Sequence, residues 1–182
     1  MTDSQEGQNG HSNLEIEVRR ANNMPLDNLM LTDIIAISRC IPEDVNSLDA
    51  FAATDLANKF LKGQDMCGEL LSLAISYELK MSALTDATFS EAVLVRAKAA
   101  GINSATERKI YGSGDEQYLA ANNNLIRAKM FRSLLEEKRN MFGKAHHLMK
   151  SLITKDNQGF DSDTKSKKLN ATEWTRTSSW QK

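Results

Sequence analysis

The sequence has 182 residues, of which 41% are apolar and 6% aromatic, and its formal net charge is −1. This length predicts one domain, or a small domain with arms, and the apolar content supports a modest core. Neither a membrane span nor a signal peptide is expected, because no run of about 18 apolar residues occurs and residues 1–13 are polar without a basic start. Cys40 and Cys67 lack metal-ligand spacing, which favours a reduced, cytoplasmic protein.

The first third of the chain predicts small elements. Residues 1–13 are polar and are expected to form a disordered arm. Residues 14–20 (LEIEVRR) alternate apolar and charged side chains, which is typical of a short strand or an extended arm. The segment LTDIIAISRC predicts a short helix capped by Thr32, and Pro42 marks its end.

From Ser47 onward the spacing of apolar residues predicts long helices. A first helix is expected to end at Gly63, a typical C-terminal cap. A second runs from Asp65 to Gly101 with a bend near residues 85–88. The sequence therefore predicts an all-α protein with a small N-terminal helical region, residues 14–63, followed by a long helical hairpin, residues 64–153.

The stretch RKIYGSGDEQYL, residues 108–119, predicts the bend of this hairpin. Ser104 and Glu107 have the spacing of a capping box. Gly112 and Gly114 allow a sharp reversal, and Asp115 is placed to cap the next helix. That helix continues to about Thr154, a length of roughly 57 Å if it is fully helical.

The last helix carries an apolar stripe broader than one neighbouring helix covers. An ordinary bundle core and an oligomer interface both account for it, and we expect a mixture of the two. The residues predicted at a homo-oligomer interface are Ala128, Phe131, Leu135, Phe142, Met149 and Leu152.

Signatures of catalysis are missing from the sequence. His146 and His147 are adjacent and point about 100° apart on a helix, so they cannot chelate one metal ion together. GSGDE lacks the Lys and Ser or Thr of a phosphate-binding loop. Acidic neighbours such as Glu136 and Glu137 have no visible partner base. We therefore expect no catalytic residue, no metal and no cofactor, and not an enzyme.

The charges are distributed asymmetrically. Residues 1–90 contain 6 Lys and Arg against 14 Asp and Glu, a balance of −8, whereas residues 91–182 contain 17 against 10, a balance of +7. Such asymmetry is a hint of nucleic-acid contact. A ridge of basic side chains could follow a phosphate backbone, and the alternative is a solubilising rim paired with carboxylates. The candidate nucleic-acid-binding residues are Arg96, Lys98, Arg108, Lys109, Arg127, Lys129, Arg132 and Arg139.

The segment 154–182 is polar and rich in Ser and Thr, and we expect a flexible tail. It contains both tryptophans, Trp174 and Trp180, beside Arg176 and Lys182. These indoles are candidates for docking on a partner or stacking on bases. Docking back onto the parent domain is the alternative.

The segment EAVLVRAKAAGINSATERKIYGSGDEQYL and the following NNNLIRAKMFRSLLEEKRNMFGKAHHLMKSL resemble phage recombination mediators of the UvsY type. The resemblance covers roughly residues 65–153. It implies that the basic-x-basic segment, here Arg96 and Lys98, contacts single-stranded DNA, and that the C-terminal helix assembles a ring. It also implies that the protein loads a recombinase onto DNA covered by single-strand-binding protein, in the host cytoplasm if the chain is phage-encoded.

This chain departs from that family in three respects. It has an acidic N-terminal extension, a tail with tryptophans, and alanines rather than aromatic residues after Lys98. The alternative function is a phage structural or adaptor protein that assembles through its helical hairpin and binds a protein partner without DNA contact.

Overall fold

The computed structural model describes residues 13–26, 30–42 and 48–177, with side chains as far as Lys155. These residues form helices and turns and no strand, which confirms the predicted all-α fold. The helices are α1 (residues 13–21), α2 (Met30–Ser38), α3 (Ala50–Glu91), α4 (Ala97–Ala99), α5 (Ala105–Gly114) and α6 (Glu116–Thr177), with a π-helical turn (Ala92–Arg96) between α3 and α4.

The framework is an antiparallel hairpin of α3 and α6. The rings of Phe60 and Phe142 stack with centroids 6.3 Å apart, and both side chains are fully buried. Gly63 lies inside α3 and does not end a helix, so the predicted cap is wrong, and α3 runs through the predicted boundary at residues 63 and 64. A Cβ built on Gly63 would lie 3.0 Å from the Phe142 ring. The glycine is therefore at a close helix crossing.

The segment LEIEVRR is helix α1, neither a strand nor an extended arm. Its buried side chains include Leu14, Glu15, Val18 and Arg19, which recur at the three- and four-residue spacing of a helix. The carboxylate of Glu15 accepts hydrogen bonds from the Arg19 side chain, at 2.9 Å, and from two backbone amides of α2. These amides belong to Met30 and Leu31, so Glu15, and not Thr32, satisfies the first turn of α2.

The bend between α3 and α6 has three parts. Helix α3 is continuous through residues 85–88, where a bend was expected, and it passes into a π-helical turn at Ala92–Arg96. Gly101 reverses the backbone at φ 80°, a left-handed conformation that glycine adopts at little cost. Asp115 then begins α6 as predicted, because its Oδ1 accepts from the backbone amides of Gln117 and Tyr118.

Two details of the bend differ from expectation. Gly112 lies inside α5, where a Cβ would meet the Val93 side chain at 2.6 Å and the Phe89 ring at 3.3 Å. Its small size, rather than its backbone freedom, lets α5 approach the π-helical turn. Ser104 precedes α5 without a side-chain capping hydrogen bond.

The helix α6 continues to Thr177, so its backbone includes much of the segment predicted as a tail. The predicted N-terminal arm lies outside the described residues except for Asn13, which begins α1. None of the helices within the described residues combines the length and apolar content needed to cross a bilayer.

Candidate functional site

Arg96, the first residue of the predicted basic-x-basic segment, is held in a network of hydrogen bonds. Its Nε and Nη2 donate to the two carboxylate oxygens of Asp115 at 2.9 and 2.8 Å. Its Nη1 donates to the side chain of Gln117 at 3.0 Å and lies 3.1 Å from a Glu91 oxygen. Nη2 also donates to the carbonyl oxygen of Thr88. The guanidinium of Arg96 is therefore in contact with acceptors from four residues.

The network pairs the positive charge of Arg96 with the negative charge of Asp115. The hydrogen bond from Arg96 lowers the pKa of the Asp115 carboxyl, and the same bond raises the pKa of Arg96. The planar guanidinium suits this two-point contact better than an ammonium would. The sequence predicted Arg96 as a phosphate ligand, whereas in the structure it joins the π-helical turn to the start of α6.

Arg132 and Arg127 are also paired with carboxylates. Arg132 donates to Glu136 at 2.9 Å and to Glu78 of α3 at 3.3 Å. Arg127 lies 3.5 Å from a Glu17 oxygen of α1. Part of the basic half of the chain thus neutralises the acidic half, as the alternative interpretation expected.

The remaining predicted basic residues are not gathered at one place. Lys98, Lys109, Lys129 and Arg139 are exposed and form no ion pair with any described residue. Arg108 is half-buried, and its Nε has no hydrogen-bond partner among the described residues. Lys98 and Lys109 lie at the bend, while Lys129 begins about 20 Å along α6, from the helical rise per residue.

One group does form a track along α6, which we call the basic flank: Lys129, Arg139 and Lys150. Lys129 and Lys150 are three heptads apart and share one side of the helix, and Arg139 lies between them on the adjoining column. Arg139 borders α3, since a Cβ built on Gly68 would lie 3.9 Å from its Nε. His146, seven residues after Arg139, places Nδ1 2.9 Å from the carbonyl oxygen of Ala57.

The acidic residue that shares the column of Lys129 on α6 is already paired with an arginine. Glu136 projects on the same column as Lys129 but is engaged by Arg132, as is Glu78. Lys150 is exposed and has no ion pair with a described residue. The flank therefore presents three cations over about 31 Å of helix.

The residues predicted at an oligomer interface lie in the core of the single chain. Ala128, Phe131, Leu135, Phe142 and Met149 are each no more than 2% exposed, and Leu152 packs against the same cluster half-buried. The first five residues pack within the chain, so they offer no surface to a second chain. Sequence periodicity located this stripe correctly but could not tell which helix covers it.

A second apolar surface of α6 includes Leu134, Met141 and Leu148, which the sequence pattern places within one broad stripe, but it extends to Met130 and three charged residues. It lies on the side opposite the basic flank, and we call it the α6 seam: Arg127, Met130, Leu134, Glu137, Met141, Lys144 and Leu148. Met130 is 67% exposed and Leu148 45%. A groove of about 540 Å³ runs beside Met130 and Leu134, and another of about 390 Å³ lies beside Met141. The alternating three- and four-residue spacing of these residues is visible in the sequence, but it does not show that they are separate from the buried stripe.

The other predicted features give no site. The side chain of Trp174 and the whole of Trp180 lie outside the described residues. Among the residues that are described, no three His, Cys, Asp or Glu side chains come close enough together to hold a metal ion. His146 and His147 contact each other edge to face, with centroids 5.9 Å apart.

Comparison with protein-family models, with curated proteins and with solved structures found no match for this chain.

Proposed function

We propose that this protein is a non-enzymatic, single-stranded DNA-binding recombination mediator of the cytoplasm, which helps to load a recombinase. The observation that carries the proposal is the basic flank of α6, with three exposed cations that are not neutralised by any described residue. The resemblance of residues 65–153 to mediators of the UvsY type points to the same class of ligand.

The spacing of the basic flank suits a flexible polyanion. Lys129 and Arg139 are about 15 Å apart along the helix, and Arg139 and Lys150 about 16 Å. A single strand can bend to bring separate phosphates to each of these cations. Contacts of this kind carry no base specificity, so binding is sequence-tolerant and weakens as salt rises.

The bend has a supporting role in this proposal. Because Arg96 is engaged by Asp115, Lys98 and Lys109 are the cations of the bend that remain exposed to a phosphate. Arg96 instead fixes the angle at which α6 leaves the bend. The recombinase and the single-strand-binding protein are partners that follow from the resemblance alone.

The test compares two lysine pairs by fluorescence anisotropy with a labelled oligonucleotide. The double variant K129A/K150A removes two cations of the basic flank. The matched control, K62A/K155A, removes two exposed lysines elsewhere and changes the net charge equally. Each lost phosphate contact with a single strand lowers the slope of log K against log salt by about 0.7, so K129A/K150A should lose about 1.4 from that slope.

The proposal requires the control to bind like the wild type and K129A/K150A to bind more weakly. Equal affinity of all three proteins for single-stranded DNA at low salt would remove the basic flank from the proposal. Tighter binding to a duplex than to a single strand would contradict the assignment of single-stranded DNA.

The alternative function, an adaptor or structural protein without DNA contact, is favoured by a different observation. Arg96, Arg127 and Arg132 are neutralised by carboxylates, and the α6 seam exposes apolar side chains. An adaptor would show no oligonucleotide binding at low salt while still associating with a protein.

A further inference from the structure

The α6 seam has the pattern of a coiled-coil surface. Its members follow one another at alternating distances of three and four residues from Arg127 to Leu148, which is the spacing of positions a and d of a heptad. Leu14 of α1 lies at its edge and helps to line the groove, but no described helix of the chain covers Met130. A surface of this periodicity is complementary to another α-helix.

The charges of the seam select the direction of that helix. If a second copy packed in parallel and in register, Arg127, Glu137 and Lys144 would each face the same residue of the partner. Three like-charge contacts would then lie in one interface, which is unfavourable. An antiparallel copy avoids this problem because each position faces a different one.

The charges also select the register. In one antiparallel register Met130 lies opposite the partner's Leu134, and Arg127 then lies opposite the partner's Glu137, because each pair is centred on the same point of the helix. Arg127 also lies 3.5 Å from Glu17 of its own chain, but its side chain is half exposed and its guanidinium has further donors for a second carboxylate. The two-fold axis repeats each contact, so two ion pairs enclose a central layer of Met and Leu. A shift of one helix by seven residues would instead place Arg127 against the partner's Lys144.

We propose that this protein forms an antiparallel homodimer through the α6 seam, centred between Met130 and Leu134. The groove of about 540 Å³, which is lined by both of these residues and by Arg127 and Glu137, receives the partner's side chains. This interface lies on the side of α6 opposite the basic flank. It does not depend on DNA binding, and it replaces the buried stripe as the surface for self-association.

A charge-swap experiment tests both the surface and the register. The molar mass of the full chain is measured by sedimentation equilibrium over a range of concentrations, with a reductant because Cys40 is exposed. The variants E137R and R127E each create two like-charge contacts across the proposed axis and should raise the dimer Kd by about tenfold or more. The double variant R127E/E137R restores opposite charges and should return the Kd to near that of the wild type.

The control variant is K129E, which changes an exposed residue of the basic flank and should leave the Kd unchanged. A wild type that is monomeric at all concentrations, including one whose seam binds a different protein, overturns the proposal. A dimer that E137R does not weaken, or that the double variant does not restore, also overturns it. DNA binding is measured separately, so its failure and the failure of the dimer are distinguishable.

Discussion

Arg96 and Asp115 are 19 residues apart in sequence and are joined by two parallel hydrogen bonds of 2.9 and 2.8 Å. One residue ends the π-helical turn and the other begins α6, so the pair closes the bend of the hairpin. Asp115 uses Oδ1 both for Arg96 and for the first amides of α6. A single carboxylate thus caps the helix and anchors it to the preceding element.

The first prediction concerns the role of Arg96. The variant R96K keeps the positive charge but loses the planar two-point contact, so we expect a lower melting temperature. At a temperature where R96K is folded, we expect it to bind the oligonucleotide with the affinity of the wild type. Circular dichroism and anisotropy measure the two properties. The opposite result would contradict this role. If R96K were as stable as the wild type, and a folded R96L variant did not bind the oligonucleotide, Arg96 would be a phosphate ligand.

The second prediction concerns pH. The pKa of Asp115 is lowered in the folded state from its ordinary value of 3.8, chiefly by the hydrogen bond from Arg96. A carboxyl with a lowered folded pKa stabilises the protein above its unfolded pKa, and this contribution is lost as pH falls through the folded value. The wild type should therefore have a higher free energy of unfolding than D115N at pH 6, and this difference should decrease below pH 3.8. Urea unfolding at pH 6 and pH 3 measures it, and a difference that grows in acid would contradict the assignment.

The third prediction separates an intramolecular core from an oligomer interface. Phe142 is fully buried against Phe60 and Gly63, so F142A should lower the free energy of unfolding by about 3–5 kcal/mol. The matched control is F51A, which removes a ring that is 85% exposed and should change stability by less than about 0.5 kcal/mol. The loss in F142A should be the same at dilute and at high protein concentration. If F142A lowered the free energy of unfolding only at high protein concentration, Phe142 would instead lie at an interface between chains.

The fourth prediction uses two glycines of α5. The variant G112A places a Cβ 2.6 Å from the Val93 side chain and should destabilise the protein by about 1–3 kcal/mol through overpacking. G114A meets no atom within 4 Å, and by helix propensity it should be neutral or stabilising by up to about 1 kcal/mol. Chemical denaturation of both variants checks the contrast. Equal effects would mean that α5 does not pack closely on the π-helical turn.

Much of the fold follows from local patterns. The three- and four-residue spacing of apolar side chains predicted the long helices, and Asp115 was correctly expected to cap α6. The misassignments have local causes. The segment LEIEVRR satisfies both a two-residue and a helical period. Glu15 is buried beside Arg19 of the same helix, and its carboxylate also accepts from two amides of α2, which lie distant in sequence. The sequence predicts a helix end at Gly63 because the glycine residue itself does not indicate whether close packing or a turn requires it.

The candidate site depended more strongly on contacts distant in sequence. Arg96, Lys98 and Arg132 each carry one positive charge, yet the two arginines are paired with carboxylates and Lys98 is exposed without an ion pair to a described residue. Which arginine meets a carboxylate is decided by the register of α6 against α3 and by the geometry of the bend. Glu78 and Arg132, for instance, are 54 residues apart in sequence.

The sequence by itself determined that this protein is helical, where its longest helices lie, and that its positive charge is concentrated in the second half. These properties depend on periodicity and composition, which are local or additive along the chain. Only the tertiary structure decided which apolar stripe is covered, which cations are neutralised, and that α6 exposes a basic flank on one side and an apolar seam on the other. Those outcomes depend on the antiparallel register of two long helices, and that register is set by side chains dozens of residues apart.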